Sequence, residues 1–334
     1  MEKLRVGVVG LGRISPAHIR AVKASADLAE LAAFVSRRGA AAAEAARKHG
    51  VTKVYQDLEE ALAARALDAV VLCSPNHLHA PQAIAAARAG CHVLVEKPLA
   101  NTLEEADAMI EAAARHHVVL MVAQCRRFTR AALEAKARLT EIGPVVSIVH
   151  TLAVRFAGAL TDWWPSAEKT GGLVLGLNAP HVVDTMLWLI GSRPTRVQAT
   201  ASRHSPQWEG EDEAALLLDF PDGAIATGHL SFNAIHGINE RFILAAKGTM
   251  RMTDETRLMV NDRVVVDEVY GPYLEGGPNF DAQTREFLTA IRERRTPIAA
   301  ASEVRTCVEV LDAARRAIKL RAPVELPARS ASHG

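Results

Sequence analysis

Short apolar runs alternate with longer segments of helical composition over the first 123 residues of the chain. The apolar runs are rich in Val, Ile and Leu, and several helical segments stop at a glycine, which is typical of a left-handed helix C-cap. Strands that alternate with helices in this way build βαβ units and a parallel sheet. We therefore predict an α/β domain of the doubly wound, Rossmann type over residues 1–123. Its predicted strands are 4–9, 31–35, 69–73, 92–95 and 118–123, and its predicted helices are 16–26, 40–49, 81–89 and 103–116.

A different pattern begins near residue 124, where alternating polar and apolar stretches replace the strand–helix rhythm. Such alternation indicates strands with one buried face, and Asp222-Gly223 and Lys247-Gly248 are turn signals between them. We predict an α+β domain with a large, mostly antiparallel sheet over residues 124–328, whose C-terminal helices pack back toward the first domain, and a flexible tail at 329–334. The predicted strands are 145–156, 196–202, 213–220, 224–232, 241–246 and 258–266, and the predicted helices are 130–142, 180–190, 280–294 and 303–320.

Composition excludes several classes of protein. Hydrophobic residues make up 49% of the 334 residues and the formal net charge is +1, so most of the chain should fold, and no global charge favours nucleic acid or an anionic membrane as a partner. No apolar run reaches the roughly 18 residues of a membrane span, and the first residues lack a signal-peptide pattern. The four cysteines form no CxxC pair, which argues against a disulfide framework or a zinc site. We therefore expect a reduced, cytoplasmic protein without a bound metal.

A glycine-rich turn follows the first predicted strand. Residues 10–15, Gly-Leu-Gly-Arg-Ile-Ser, have the G-x-G-x-x-small spacing of a dinucleotide-binding turn. Gly10 permits the tight turn, Gly12 lets the backbone approach a pyrophosphate, and the following helix N-terminus supplies N–H donors. Ser15 replaces the usual third glycine. We predict that four residues of this turn bind the cofactor, the alternative being a turn that binds no nucleotide: Gly10, Gly12, Arg13 and Ile14.

The end of the second predicted strand distinguishes between cofactors. NAD-specific sites usually place Asp or Glu here to hold the ribose 2′-hydroxyl, whereas this strand ends in Ser36, Arg37 and Arg38. A serine hydroxyl and two guanidinium groups can bind a 2′-phosphate through charge-assisted hydrogen bonds. We therefore predict that NADP(H) is preferred, with NAD(H) as the second option. The alternative for the arginines is a solvated surface loop.

The third predicted strand leads into a polar loop. Ligands of doubly wound sheets bind at the carboxyl ends of the strands, so Ser74, Asn76 and His77 are candidates for contacts with the cofactor. For His79, two residues further on, a structural role in the loop is the favoured interpretation.

The fourth predicted strand leads into the sequence Glu96-Lys97-Pro98. The same rule places Glu96 and Lys97 at the nicotinamide end of the cofactor, and Pro98 favours an extended conformation at Lys97. A lysine at this place can polarise a hydroxyl oxygen or transfer its proton.

These motifs together resemble those of the Gfo/Idh/MocA family of oxidoreductases. The resemblance covers nearly the whole chain and rests on residues 10–14, 74–79, 96–99, 126–128, 171–172, 181–184 and 286–288. It implies a Rossmann domain, an open-faced antiparallel sheet that often becomes buried in an oligomer, and a bound nicotinamide cofactor. It also implies oxidation or reduction of a secondary alcohol on a sugar, inositol or related polyol.

The chain departs from the family at one position. Members commonly carry an Asp four residues before a histidine that joins the lysine in the site, and here that position is Leu177. Asn178 cannot take up a proton, so general-base work falls on His181 or Lys97. His181 lies at the start of a predicted helix, whose dipole favours the neutral imidazole that a base requires. Asp184 lies one turn further on and can orient the ring; for both residues the alternative is a structural role at a helix N-terminus.

Three further residues have two interpretations each. By the resemblance, Trp164 approaches the nicotinamide side, and a place in an aromatic core is its alternative. Arg127 resembles a family position near the cleft, and a brace at the domain junction is its alternative. Tyr273 flanks a glycine-rich loop at 276–278 that either closes over substrate or is a surface excursion.

The function these residues predict is hydride transfer between a nicotinamide cofactor and a secondary alcohol or ketone of a sugar, inositol or related polyol. A second interpretation is a glycoside-cleaving or epimerising enzyme that recycles a tightly held NAD(P). A third, from another class, is a nucleotide-sensing or scaffold protein, which only the missing Asp supports. We also predict a homodimer or homotetramer, because few predicted helices are available to cover the second sheet.

Overall fold

The computed structural model describes residues 2–327. These residues form two compact units. The first comprises the chain up to Phe128 together with Val269–Arg305, and the second comprises Thr129–Glu268 and the chain from Thr306 onward. The division therefore differs from the predicted one, 1–123 and 124–328, at residues 124–128 and 269–305. The predicted tail at 329–334 lies outside the described residues.

The first unit contains a six-stranded parallel sheet, as predicted for a Rossmann domain. The strands Ala69–Leu72 and Leu120–Ala123 are buried along their whole length, which explains why they read as continuous apolar runs. The strands are β1 (Leu4–Val9), β2 (Ala29–Val35), β3 (Lys53–Tyr55), β4 (Ala69–Leu72), β5 (His92–Glu96) and β6 (Leu120–Ala123), in the spatial order β3-β2-β1-β4-β5-β6. The helices between them are α1 (Ser15–Ala24), α2 (Gly39–His49), α3 (Leu58–Ala63), α4 (His79–Arg88) and α5 (Leu103–Arg115).

Local sequence signals account for several helix ends in this unit. Thr102 and Glu105 form a capping box at the start of α5, in which each side chain bonds a backbone N–H of the other residue. Helix α2 ends at Gly50, whose φ of 74° is the left-handed conformation that glycine adopts without strain.

The second unit contains a nine-stranded sheet that is antiparallel except where β10 pairs with β7. The predicted α+β architecture is therefore confirmed. Its strands are β7 (Val145–Arg155), β8 (Arg196–Ser202), β9 (Glu213–Asp219), β10 (Ile225–Ser231), β11 (Asn233–Ala245), β12 (Gly248–Thr253), β13 (Arg257–Val260), β14 (Arg263–Asp267) and β15 (Val324–Glu325), in the order β14-β13-β12-β11-β7-β10-β9-β8-β15. Its helices are α6 (Arg130–Ile142), α7 (Ala167–Thr170), α8 (Val174–Leu177) and α9 (Ala179–Ile190).

Two more helices follow the second sheet in the chain. Helix α10 (Pro278–Glu293) belongs to the first unit and packs against α1. Helix α11 (Ala301–Leu320) begins in the first unit, and the unit boundary falls after Arg305.

The sequence-based assignment of elements was wrong in several places. The predicted strand 258–266 is two strands, β13 and β14, because Asn261 and Asp262 take positive φ values of 47° and 63° and form a tight hairpin turn. The predicted strand 241–246 begins earlier, at Asn233. Six short or polar elements were missed: β3, α3, α7, α8, β12 and β15.

No single helix among residues 2–327 is both long and apolar enough to cross a membrane. One bent pair, Ala167–Leu177 with Ala179–Ile190, meets the length and composition requirement together.

Candidate active site

The glycine-rich turn joins β1 to α1. Gly10 has a φ of 85°, and a Cβ added there would lie 2.9 Å from the carbonyl carbon and oxygen of Cys73 at the end of β4. At Gly12, by contrast, a Cβ would meet only the Cys73 oxygen, at 3.8 Å. Folding therefore requires glycine at position 10, whereas position 12 has room for a side chain. The backbone at Gly12 is consequently open to close approach by a ligand.

The start of α1 continues this turn. The Ser15 hydroxyl donates to the Gly12 carbonyl oxygen at 2.8 Å, which fixes the turn against the first helical residue. Ile14 packs into the core of the unit, and Arg13 is exposed. Among the described residues no side chain caps the helix at its N-cap, Ile14. The positive end of the helix dipole is thus directed at the turn.

The end of β2 presents the predicted phosphate-binding residues. Arg37 and Arg38 are exposed, and the Arg38 backbone N–H donates to the Ser36 hydroxyl oxygen at 3.2 Å. The Ser36 N–H donates to the Tyr55 carbonyl oxygen at 2.9 Å, which ties this end of β2 to β3. The two guanidinium groups therefore project from a fixed loop beside the strand end.

The loop after β4 is held by side chains. The Ser74 hydroxyl donates to Gln82 Oε1 on α4 at 2.6 Å, a partner that the sequence did not reveal. Asn76 is buried, and His77 is half-buried in the same short turn. His79 is fully buried, with Nδ1 2.8 Å from the Pro98 oxygen and Nε2 3.0 Å from the Ser74 oxygen. His79 thus has the structural role favoured for it.

The end of β5 places Glu96 and Lys97 at the same sheet edge as the glycine turn. Glu96 is buried, and its Oε1 lies 2.6 Å from Nε2 of His18 on α1. Its Oε2 accepts the backbone N–H of Lys97 at 3.2 Å. Both oxygens of Glu96 are therefore bonded within the protein. The Lys97–Pro98 peptide bond is cis.

Charges around Lys97 shift its proton equilibrium. Burial lowers the pKa of the Lys97 ammonium; the Glu96 carboxylate opposes this shift, and the Arg126 guanidinium adds to it. Burial by itself would raise the pKa of Glu96, but the hydrogen bond from His18 and the nearby charge of Lys97 bring it below its ordinary value. Lys97 is thus a more readily deprotonated amine next to a carboxylate that stays ionised.

Burial also acts on the histidine of the neighbouring loop. It lowers the pKa of His79, which favours the neutral ring. A neutral His79 donates to one of its two carbonyl neighbours.

The turn after β6 carries Arg127. Its guanidinium is buried and donates to Glu303 Oε1 at 2.7 Å, so it braces this turn against the start of α11. Next to it, the Cys125 thiol lies 3.3 Å from the Tyr273 hydroxyl, and the Asn279 amide donates to the Cys125 oxygen at 3.4 Å. The segment around Tyr273 is therefore packed against the turn after β6, within the first unit.

His181 and its neighbours lie in the second unit, where α8 meets α9. Asn178 joins the two helices, and its carbonyl oxygen accepts the His181 N–H at 3.1 Å. His181 and Asp184 are both buried, one turn apart on α9. The Thr185 hydroxyl donates to the His181 oxygen at 2.8 Å. Leu177, at the position of the family's Asp, is buried.

Two residues that the sequence did not reveal support the glycine-rich segment before α9. Glu211 Oε1 accepts the Leu175 N–H at 2.9 Å, and a Cβ at Gly172 would lie 2.9 Å from that oxygen. Burial raises the pKa of Glu211. Arg315 donates to the Gly171 oxygen at 3.1 Å. No sequence motif singles out either residue, because both act through distant backbone groups.

Trp164 belongs to an aromatic cluster of the second unit. It meets Phe156 edge-on at 5.0 Å between ring centroids and stacks on Phe232 at 6.4 Å. Trp163 lies beside it at 6.5 Å. The rings of Trp163 and Trp164 are only partly buried, so the cluster combines packing with an accessible surface.

A groove of about 1020 Å³ lies at the opposite edge of the parallel sheet, where β1, β4 and β5 begin. Arg5 and Asp68 in its wall are bonded to each other, with Nη2 of Arg5 2.8 Å from Oδ1 of Asp68. Burial raises the pKa of Cys91 to about 11, so its thiol is protonated near neutrality. Ligands of doubly wound sheets bind at the carboxyl edge, and the candidate site is therefore at the end that carries Lys97.

Possible metal ligands do not cluster in the described part of the chain. Residues 2–327 contain no group of three or more His, Cys, Asp or Glu side chains placed to hold an ion.

Comparison with known proteins gives consistent matches. Residues 4–124 match the oxidoreductase family with an NAD-binding Rossmann fold, Gfo/Idh/MocA, and residues 132–251 match a Gfo/Idh/MocA C-terminal domain. The chain is 30% identical over 310 residues to 4-carboxy-2-hydroxymuconate-6-semialdehyde dehydrogenase of Sphingobium sp., covering 92% of this chain and 96% of that protein. It is 30% identical over 266 residues to myo-inositol 2-dehydrogenase of Thermotoga maritima, covering 78% of each.

A solved structure is similar to this chain. Levoglucosan dehydrogenase in complex with NADH and levoglucosan superimposes with a TM-score of 0.88 at 27% identity, covering 98% of this chain and 100% of that one.

Proposed function

Because this chain belongs to the Gfo/Idh/MocA family of oxidoreductases, we propose that it is an NADP(H)-preferring dehydrogenase or reductase of a sugar, inositol or related polyol. The observation that carries this proposal is the arrangement of the first unit. The glycine turn after β1 and the Lys97 turn after β5 lie at the same edge of one parallel sheet, so a cofactor-binding element and a proton-transferring amine share one end of the unit.

The residues of the first unit fit a dinucleotide. The space at Gly12 and the uncapped start of α1 are what a pyrophosphate needs, since it binds to backbone N–H groups at the positive end of a helix. The nicotinamide ring, when bound, supplies the hydride acceptor or donor. Ser74, Asn76 and His77 lie on the adjacent strand end and are proposed to contact the rest of the cofactor.

The preference for NADP(H) rests on the end of β2. Ser36, Arg37 and Arg38 offer a hydroxyl and two cations where an NAD-specific site carries a carboxylate. Since Arg37 and Arg38 are exposed on a loop tied to β3, they are accessible to a 2′-phosphate.

Proton transfer is assigned to Lys97 and His181. The lowered pKa of Lys97, which burial causes, suits an amine that exchanges the hydroxyl proton of substrate. His181 at the start of α9 is the second candidate base, with Asp184 one turn away to orient its ring. Asn178 is assigned a hydrogen bond to substrate, since Leu177 offers no polar group.

Glu96 and Arg127, both predicted to bind the cofactor, are proposed to act by supporting the site through contacts within the protein. Both oxygens of Glu96 are engaged, by His18 and by the Lys97 N–H. The guanidinium of Arg127 is buried against Glu303. Trp164 retains its proposed place beside the nicotinamide, because its ring keeps accessible surface.

Self-association is assigned to the second sheet. Helices α6 and α9 pack on one face, whereas Val149 (44% exposed) and Phe242 (51% exposed) face outward as direct neighbours on β7 and β11. Leu244 on β11 and Ile225 on the flanking strand β10 extend this apolar surface. We infer a homodimer or homotetramer in the cytoplasm, with no nucleic-acid or membrane partner.

The test is a panel of sugars, inositols and other polyols, each assayed with NAD⁺ and NADP⁺. Reduction of NADP⁺ by a member of the panel, lost on substitution of Lys97, is the expected result. Cofactor that stays bound through purification, with substrate conversion but no change in NAD(P)H absorbance, would instead indicate the glycoside-cleaving or epimerising enzyme. Binding of a dinucleotide without any turnover would favour the sensing or scaffold protein.

A further inference from the structure

The buried histidine on α1 has no part in the mechanism above, yet it contacts the Glu-Lys-Pro turn. His18 is fully buried, and its Nε2 lies 2.6 Å from Glu96 Oε1. Phe280 packs edge-on against the imidazole, with 5.4 Å between ring centroids and an interplanar angle of 86°, which fixes the plane of the ring. The contact joins the helix of the pyrophosphate-binding turn to the strand end that carries Lys97.

Hydrogen bonding indicates which form of His18 the site holds. Nδ1 of His18 is buried and has no hydrogen-bond partner among the described residues. A proton on Nδ1 would be an unsatisfied buried donor, whereas a proton on Nε2 donates to the Glu96 carboxylate. The neutral tautomer with its proton on Nε2 therefore fits best. In that form His18 orients Glu96 without neutralising it.

Glu96 is thus left ionised beside Lys97. Its second oxygen accepts the Lys97 backbone N–H, so the carboxylate is fixed next to the residue that bears the ammonium. A buried carboxylate without a donor tends to take up a proton, and the bond from His18 opposes that. We propose that His18 is a positioning residue that keeps Glu96 ionised, and that Glu96 in turn sets the proton affinity of Lys97.

Other titratable groups face this pair and are unchanged in the variants below. His79 on α4 and Cys73 at the end of β4 interact electrostatically with Glu96. Arg126 and Cys125, from the turn after β6, interact with Lys97. Tyr273 also interacts electrostatically with Glu96. A change in the labelling midpoint of Lys97 can therefore be attributed to the substituted residue, because these other groups are the same in every variant.

The inference rests on the proposed role of Lys97, but it can be tested without substrate. The full-length protein is labelled with trace isotope-coded acetic anhydride across a range of pH, and the Lys97 peptide is quantified by mass spectrometry relative to exposed Lys48. Since an opposite charge within a few ångströms shifts a pKa by about 1–3 units, Glu96→Gln should move the labelling midpoint of Lys97 to lower pH by about 1 unit. His18→Leu should also move the labelling midpoint of Lys97 to lower pH. In His18→Gln, whose amide can still donate a hydrogen bond to Glu96, the midpoint should stay at its value in the unsubstituted protein.

A matched control lies at the other edge of the sheet. Asp68 also accepts a backbone N–H and a side-chain N–H, both from Arg5, and Asp68→Asn should leave the Lys97 midpoint unchanged. The proposal is overturned if the midpoint stays fixed in Glu96→Gln and His18→Leu, or if Asp68→Asn shifts it equally. Should Glu96→Gln fail to fold, the comparison of His18→Leu with His18→Gln decides alone. A shifted midpoint in a protein without redox activity would disprove the proposed function and leave this inference standing.

Discussion

The turn at Gly10 lies against the end of β4 so closely that a Cβ there would come within 2.9 Å of the Cys73 backbone. Two residues on, Gly12 has its nearest neighbour, the same Cys73 oxygen, at 3.8 Å. Packing therefore requires glycine at position 10. It does not require glycine at position 12, where we expect a ligand to approach the backbone.

Alanine at these two positions should affect different properties, stability at position 10 and cofactor binding at position 12. Gly10→Ala combines a left-handed backbone with a steric overlap, so we expect it to lower the free energy of unfolding by about 2–4 kcal/mol. Gly12→Ala should fold normally and weaken NADP(H) binding at least about tenfold, because its methyl group occupies the pyrophosphate approach. Urea unfolding and fluorescence titration measure the two effects. Gly39→Ala, where nothing lies within 4 Å, is the neutral control; unimpaired cofactor binding by Gly12→Ala would contradict the site.

Cofactor preference can be changed at the end of β2. Replacing Arg37 and Arg38 by Ala removes both cations available to a 2′-phosphate. Each charge-assisted contact contributes about 1.5–3 kcal/mol, so NADPH affinity should fall at least about tenfold while NADH affinity stays constant. Arg47→Ala, in the last turn of α2, is the matched control. Tighter binding of NADH than of NADPH by the unsubstituted protein would refute the assignment.

The sequence predicted the glycine turn and the Glu-Lys-Pro turn because each motif combines a residue type with a place after a strand. It did not predict the side-chain contacts that hold these two turns in place. His18 bonds Glu96 across 78 residues of chain, and such long-range partners leave no local pattern. The one signal was a polar residue on the buried face of α1. The β13–β14 hairpin was missed for another reason, since its Asn-Asp turn lacks the glycine that usually marks such turns.

The outward face of the second sheet should control self-association. Phe242→Asp places a charge at the centre of the exposed apolar surface, where it would be desolvated on association, so we expect dissociation to monomers at micromolar concentration. Sedimentation velocity measures this directly. Leu320→Asp, at the exposed end of α11, should leave the mass unchanged. A monomeric unsubstituted protein would contradict the proposed self-association.

Stability in acid should depend on Glu286. Both its oxygens accept from Arg295, at 2.6 and 2.7 Å, and the Ile298 N–H donates to it at 2.8 Å. The hydrogen bond from Arg295 lowers the pKa of Glu286 in the folded state. Its contribution to stability is therefore complete above the unfolded value of about 4.3 and is lost as the pH falls through the lowered folded value.

Glu286→Gln should accordingly lower the free energy of unfolding by about 1.5–3 kcal/mol at pH 7, and the difference should shrink below about pH 4. Urea denaturation between pH 3 and 7 is the measurement. Glu293, which bonds the same arginine from a 56% exposed position, gives the control: Glu293→Gln should change stability by less than about 1 kcal/mol. A pH-independent difference would mean that Glu286 acts through shape and not through charge.

The chemical step divides between the two proposed proton-transferring residues. If Lys97 acts in the transition state, Lys97→Ala should depress kcat by about 10²–10⁴ with cofactor affinity nearly unchanged, and His181→Ala should do likewise. Asn178→Ala should lower kcat about tenfold, since a single hydrogen bond to substrate contributes about 1.4 kcal/mol.

Asp184→Asn keeps the size of the side chain at 184 and removes its charge, so a fall in kcat without a change in KM would show that His181 needs an orienting carboxylate. Steady-state kinetics on the substrate found in the panel supply these values. Near-normal turnover in His181→Ala would leave Lys97 as the only base, and near-normal turnover in Lys97→Ala as well would disprove the mechanism, because no other amine or imidazole is assigned to the reacting hydroxyl.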